Sequence, residues 1–460
     1  MLLGQVFERF VQESPVSVMV RGLLEKVLCS QTVDELFERS AQAQYTRELL
    51  FSQIVNLMSL VVCGIRPSIH AAYQASAAEI GVSITSVYNK LNGIEPTISA
   101  QLVRETAGQL EATIRHLQAT RPDLLPGYRV KILDGNAIAA SEHRLSVLRQ
   151  TGSAPLPGQS LVVLDPALML AVDIFPCEDG HAQERSLFEQ VLPTVEVDDV
   201  WLADRNFCTL KFLFGIAAHQ AYFIIRQHQC LPWQPLSDFR PVGHIDSGQV
   251  FEQTLLLSND DGELLQVRRV KVRLEQPTRD GDWEIFLLTN LPVEVASALL
   301  IAQLYRQRWS VETLFQVLTE TLCCEINTLG YPRAALLAFS IALVAYNVLS
   351  VVKAALRSVH GTEKIETEVS SYYLADEIQG TYRGMMIALP PAEWQTFQDM
   401  TFIQLSSVLK YLASCVKLRA FRRHPRGPKK ARSKRTYLKN QPHISTAKLL
   451  AQAKKGERSP

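Results

Sequence analysis

Apolar residues recur at three- and four-residue spacing through the first 125 positions, as in VFERFVQESPVSVMVRGLLEKVL and VDELFERSAQAQYTRELLFSQIVNLMSLVV. That period places one face of a helix in a core, so a helical N-terminal unit over 1–125 is predicted. Pro122 and the PGY at 126–128 end it. From 128 the runs shorten. YRVKILDG, SLVVLDPALMLAVDIFP, DVWLADRNF and AYFIIRQH are apolar stretches bounded by Gly, Pro or Asp, and they read as strands. ERSLFEQVL and LKFLFGIAAHQ between them read as helices. Strands alternating with helices predict a mixed α/β domain, its first part at 126–229.

Residues 230–292 change pattern again. VFEQTLLLS, LLQVRRVKVRLEQ and DWEIFLLTNL are separated by NDDGE and TRDGD, which are hairpin turn signals. A β-rich insert is therefore predicted to interrupt the α/β domain. Helix returns over 293–408, with VEVASALLIAQLYRQRWSVETLFQVLTETL as one long amphipathic candidate. Residues 334–352 carry no charge over 19 positions, near the length that spans a bilayer. Ala, Ser340, Tyr346 and Asn347 dilute the run, so a helix buried in a large core is expected and no membrane partner. The N-terminus MLLGQVFERF brings in an acid and Arg too early for a secretory signal.

Charge divides the chain unevenly. Lys410–Pro460 holds 16 Lys and Arg against one acid, Glu457, while the remainder has 31 basic and 45 acidic residues. A basic C-terminal tail, 409–460, thus follows an acidic body, a split typical of polyanion binders. Tyr437, His424 and Phe421 are interleaved with those charges. The eight Cys form no CxxC pair and several sit in apolar runs. Free thiols in a reducing cytoplasm are expected, and a zinc site is not.

The segment SAAEIGVSITSVYNKL (76–91) fits a helix-turn-helix. Ala77 is the small residue of the first helix, Gly81 makes the turn, Ser83 caps the second helix and Val87 packs inward. Thr85, Ser86, Tyr88, Asn89 and Lys90 would then face bases and phosphates. An ordinary helical hairpin fits the same pattern.

Two acids end apolar strands: Asp134 in KILDGN and Asp204 in VWLADRNF. Strand ends on one edge of a sheet are common ligand sites. Glu312, on a helix, could reach the same edge. Three converging carboxylates repel one another unless a cation lies between them, and oxygen-only ligation favours Mg²⁺ or Mn²⁺. Two such ions support in-line attack at phosphorus. Spacing alone does not select these acids, since Asp165 and Asp173 also lie near strand ends and any of the four could be a turn residue.

Tyr305-Arg306-Gln307-Arg308-Trp309-Ser310-Val311-Glu312 resembles the Y-x2-R-x3-E-x6-K signature of the insertion sequence 4 family of transposases. Tyr305, Arg308 and Glu312 match, and on a helix they would share a face. Thr319 stands where that family has Lys. The resemblance extends to Asp134 before a Gly, to the ADRNF segment around Asp204, and to the β-rich stretch among the 107 residues between Asp204 and Glu312. HPRGPKK at 424–430 resembles the family's C-terminal end. What the resemblance implies is an RNase H-like catalytic domain and cut-and-paste chemistry at inverted terminal repeats. It implies Asp134, Asp204 and Glu312 as catalytic ligands of two metal ions, and a homodimer on double-stranded DNA. Tyr305, Arg308, Thr319, Arg205, Lys90, Arg426, Lys429 and Lys430 would contact DNA. Trp283 in the insert is a candidate to stack on a flipped base, and Trp309 is expected to pack its helix against the sheet. Thr319 keeps open a weakened or inactive DNA-binding derivative, and the acids alone would also suit an RNase H-like nuclease without strand transfer.

Overall fold

The computed structural model describes residues 3–44, 46, 48–138, 156–278, 281–326, 329–424 and 445–456. The change of period near 128 is a change of structure. Helices occupy the chain up to Leu117, and the first strand, β1, is Arg129–Ala137. β2 (Gln159–Asp165) runs antiparallel to β1, and β3 (Leu170–Cys177) antiparallel to β2. β4 (Asp199–Ala203) lies parallel to β1 on its other side, and β5 (Tyr222–Arg226) parallel to β4.

The β-rich stretch continues this sheet. It contributes β6 (Gln234–Pro235), β7 (Arg240–Ile245), β8 (Gly248–Ser258), β9 (Leu264–Leu274) and β10 (Glu284–Thr289). β10 pairs with β5, Leu287 opposite Arg226. The order is β3-β2-β1-β4-β5-β10-β9-β8-β6, with β7 on β8. The result is a mixed α/β architecture around one large mixed sheet.

Both faces of the central strands are covered, which is why they read as continuous apolar runs rather than alternating ones. On β4, Val200 and Leu202 enter the core of one face, and Trp201 and Ala203 that of the other. The first face carries most of the helices, including Pro332–His360. This helix is long and apolar enough to cross a membrane, yet its apolar window is wholly buried here. Pro96–Leu117, Phe51–Val62, Phe402–Cys415 and β3 cover it. Asn347, fully buried, accepts from Ala171 N and donates to Ala171 O, both at 2.8 Å. It thereby satisfies the backbone of β3 beside the register shift between β2 and β3.

Three expectations need correction. The long helix from 295 is two helices, Ala298–Arg306 and Trp309–Glu320. Gln307 and Arg308 donate to carbonyls three residues back, at 2.9 and 3.1 Å, and this tighter winding breaks the helix. ERSLFEQVL is a 3-10 turn, Glu184–Leu187, followed by the short helix Phe188–Val191. Trp309 does not pack its helix on the sheet. It is 59% exposed, because Val311 and Leu314 take the buried face after the break.

The 76–91 segment does form two helices about a turn, Ile69–Ile80 and Ile84–Gly93. Gly81 sits at φ +70°, where a side chain is strained. Ser83 Oγ accepts from Ser86 N at 3.2 Å. Arg426, Lys429 and Lys430 lie outside the described residues. Beyond them, Ser445 bridges Leu156, and Lys448 of the helix Thr446–Gly456 pairs with Asp179 at 3.0 Å.

Candidate active site

Leu133 of β1 lies opposite Ala203 of β4, and the next residue on each parallel neighbour is Asp134 or Asp204. Parallel strands run about 4.8 Å apart, so the register alone brings the two acids side by side where β4 ends. Leu133 and Ala203 both face the second core. Side-chain alternation therefore sends both aspartates to the other face, the one that carries the Trp309–Glu320 helix. Asp204 Oδ1 also accepts from Asn206 N at 2.7 Å, capping the 3-10 turn Arg205–Phe207.

Arg308 joins the two elements. Its Nη1 donates to Asp134 Oδ2 at 3.0 Å and its Nη2 to Glu312 Oε1 at 2.8 Å. The break before Trp309 places Arg308 at the helix start, with Glu312 one turn on and Tyr305 buried beside the guanidinium. Asp134 is 16% exposed and Glu312 42%. Burial pushes the Asp134 carboxyl up to about 7. The Arg308 guanidinium and the Gly135 N–H, at 2.9 Å, oppose that rise, while the charges of Asp204 and Glu184 add to it. Burial also pushes the Tyr305 hydroxyl up to about 12.

Glu184 was not singled out by sequence reasoning. It opens the turn Glu184–Leu187, whose Leu187 belongs to the second core, so it reaches the strand ends from the opposite face. Asn206 Nδ2 donates to its Oε2 at 3.4 Å. Burial, then the Asp204 charge, raises its carboxyl above the ordinary value. No local pattern marks this residue; only the long-range approach of 184 to 135 does.

The competing acids, Asp165 at the end of β2 and Asp173 within β3, are paired elsewhere. Asp165 pairs with Arg129 at 3.0 Å and accepts from Ala167 N and Leu168 N as a turn residue. Asp173 pairs with Arg104 at 2.5 Å.

The donors at the strand ends are all carboxylate oxygens, which suits a hard divalent cation. Among the described residues, no three His, Cys, Asp or Glu side chains converge closely enough to hold a metal as they stand. Arg308, seated between Asp134 and Glu312, supplies the positive charge there instead.

Comparison with known proteins bears on the same region. Residues 156–348 match the family model of the transposase DDE domain. That span contains Asp204, Glu312 and the Arg308 link, and starts after β1 and Asp134. InsL of insertion sequence element IS186A, from Escherichia coli strain K12, is 24% identical over 248 residues, 47% of this chain and 63% of that protein. The transposase for insertion sequence element IS421, from Escherichia coli, matches at the same identity and coverage. The chain thus spans just under two thirds of the length of these relatives. A piggyBac transposase synaptic complex with hairpin DNA superposes at a TM-score of 0.39, with 10% identity and 85% of each chain covered. At that score the likeness is too low to bear on the fold, which rests on the sheet order itself.

The other singled-out residues scatter around this centre. Arg205 is exposed next to Asp204. Trp283 is 58% exposed and adjoins Asp282, whose carboxylate pairs with Arg226 of β5 at 2.6 Å. Thr319 is exposed, and its hydroxyl donates to Phe315 O at 3.0 Å on its own helix. Lys90 lies on the second helix of the N-terminal pair, its Nζ 4.0 Å from the Phe37 ring centroid.

Proposed function

We propose that this protein is a DDE-type DNA transposase, with Asp134, Asp204 and Glu312 as the carboxylates of one active site. The observation that carries the reading is the register that sets Asp134 beside Asp204, tied through Arg308 to Glu312, in a chain whose residues 156–348 match the transposase DDE domain. The sheet order β3-β2-β1-β4-β5, antiparallel then parallel, supports an RNase H-like catalytic domain. The Tyr305-Arg308-Glu312 spacing supports membership of the insertion sequence 4 group.

Asp134, Asp204 and Glu312 would hold Mg²⁺ or Mn²⁺, two ions by analogy with other phosphodiester chemistry. Bound there, such ions stabilise the attacking and leaving oxygens at phosphorus. The chain's own residues do the rest. Asp134, within β1, and Asp204, just past the end of β4, hold their carboxylates on a sheet that fixes both. Arg308 balances Asp134 and Glu312, and its guanidinium fork would suit a DNA phosphate. Tyr305, buried, backs the Arg308 guanidinium, Arg205 lines the approach, and Trp283 offers an exposed ring for a displaced base. The helices Ile69–Ile80 and Ile84–Gly93 serve as a helix-turn-helix. Arg426, Lys429 and Lys430 add phosphate contacts from the basic C-terminal segment. Double-stranded DNA with inverted terminal repeats is the substrate, and a homodimer brings two ends together, in the cytoplasm.

A second reading has one observation in its favour. Thr319 brings no charge where the family has Lys, and its hydroxyl is turned to its own helix. This suits a DNA-binding derivative with weakened catalysis. Excision and integration assays on DNA bearing the element's ends separate the two: strand joining in Mg²⁺ supports the transposase, and binding without cleavage supports the derivative.

A further inference from the structure

β9 places Arg269, Lys271 and Arg273 on one face and Val270 and Val272 on the other. The two valines belong to the first core, on the side where the helix Ala298–Arg306 packs. The three cations continue the face that Val267 and Leu288 bury in the second core. Aromatic rings stand between them. Arg269 Cζ lies 4.2 Å from the Phe286 ring centroid, 4.6 Å from Trp233 and 5.4 Å from Phe239. Lys271 Nζ lies 4.7 Å from Phe239 and 4.6 Å from Phe251. Ring faces hold a cation without cancelling its charge as a carboxylate does. Glu284 is shared between Lys271 at 3.7 Å and Arg273 at 3.2 Å, one acid for two cations. Among the described residues, no salt bridge reaches Arg269. Its Nη1 donates to Gln253 Oε1 at 3.4 Å, and its buried Nε has no hydrogen-bond partner. A buried donor left unpaired carries a free-energy cost that an incoming acceptor removes. Trp233 and Arg273 are exposed.

The sheet register ties this row to the acids. Ala203, Ile225, Leu288 and Arg269 are successive partners across β4, β5, β10 and β9. Arg269 is therefore level with the residue before Asp204, about 14 Å away over three strand spacings. β9 runs in the direction of β4, so Lys271 and Arg273 continue past the end of β4, in steps of about 6.6 Å. The side chains of Asp134 and Asp204 point to the other face. This row thus meets DNA that has passed over the end of the sheet, not the phosphate being cut.

We infer that this face of the insert binds a single DNA strand freed at the nicked end, with phosphates on Arg269, Lys271 and Arg273 and a base against Trp233. The inference rests on the transposase reading above. Cations interleaved with rings suit a nucleic-acid strand, whose bases stack while its phosphates pair. An acidic peptide would use the cations and leave the rings idle.

Fluorescence anisotropy of a labelled oligothymidine with the full-length protein, in chelator and over a range of salt, tests it. Each lost phosphate contact lowers the log–log salt slope by about 0.7. Arg273→Gln, at an exposed site, should lower it by about that much, and the Arg269→Gln, Lys271→Gln double variant by about 1.4. Trp233→Ala should weaken binding roughly 5- to 150-fold, the usual loss on removing one stacking ring. Arg240→Gln removes a cation that pairs with Glu252 on the other face of the insert, and it should bind as the wild type does. Thermal melts of each variant separate these effects from loss of fold. Wild-type affinity and slope in the folded variants overturn the inference, as does binding of polyglutamate as tight as that of the oligonucleotide. Oligothymidine binding needs neither metal nor cleavage. If the variants lose it as expected while the wild type joins no strands in Mg²⁺, the transposase reading fails and the strand-binding face stands.

Discussion

Arg308 pairs with two carboxylates that lie 174 and 4 residues away along the chain. A buried acid so placed resists ionisation unless a cation stands near it. Asp134 is therefore the residue whose charge state should be visible in stability. Its carboxyl is displaced upward, from 3.8 to about 7, chiefly by burial. For an acid with a raised folded value, the stabilising contribution is present below the unfolded value and lost as pH rises through the folded one. The wild type should thus lose stability relative to Asp134→Asn between about pH 4 and pH 7. The difference reaches at most about 4 kcal/mol above that window. Thermal melts in chelator across this range check it, and a variant that melts below the wild type at high pH contradicts the assignment.

At the scale of elements, the sheet and its acids were largely legible, and the helix carrying Glu312 less so. Asp134 and Asp204 end apolar runs, and the parallel register sets them side by side, although β1 continues past Asp134 to Ala137 while β4 stops at Ala203. Which of the strand-end acids would meet was not legible. Asp165 and Asp173 look the same in sequence, and only Arg129 and Arg104, from elsewhere in the chain, set them apart. The exposure of Trp309 is not legible in the sequence, because the apolar spacing runs on through the break between Arg306 and Trp309. Two backbone hydrogen bonds at 307–308 turn the packing face by enough to expose it. Glu184 was invisible because its place depends on the absence of a side chain at 135, nearly fifty residues earlier.

The charge-free run 334–352 illustrates a further point at this scale. Asn347 makes it a sheet-facing helix, since its amide answers both backbone groups of Ala171. Asn347→Ala leaves a buried donor and acceptor unpaired, each costing about 1–3 kcal/mol. A clear drop in melting temperature is expected; an unchanged one would falsify this role for Asn347. On the second helix of the N-terminal pair, Asn89 is exposed. If that helix reads bases, Asn89→Ala should weaken binding to the element's ends by about 1–3 kcal/mol and leave non-specific DNA binding unchanged. Competition binding at fixed salt measures this, and equal loss on both DNAs contradicts base reading.

For the whole molecule, one mixed sheet carries the acidic centre where β4 ends beside Asp134 of β1, between helices on one face and the Glu184 turn on the other. The body is acidic, and the basic charge is concentrated after Lys410. An acidic centre needs cations and a basic surface before it can approach a polyanion; on the proposed reading, the basic C-terminal segment is that surface. The most direct test is a strand-transfer assay with purified protein, Mg²⁺, DNA carrying the element's terminal repeats and a target plasmid. The account predicts joined products for the wild type and none for Asp134→Asn, Asp204→Asn or Glu312→Gln, each still binding the repeats. Joined products from any one of these three variants at the wild-type level would contradict it.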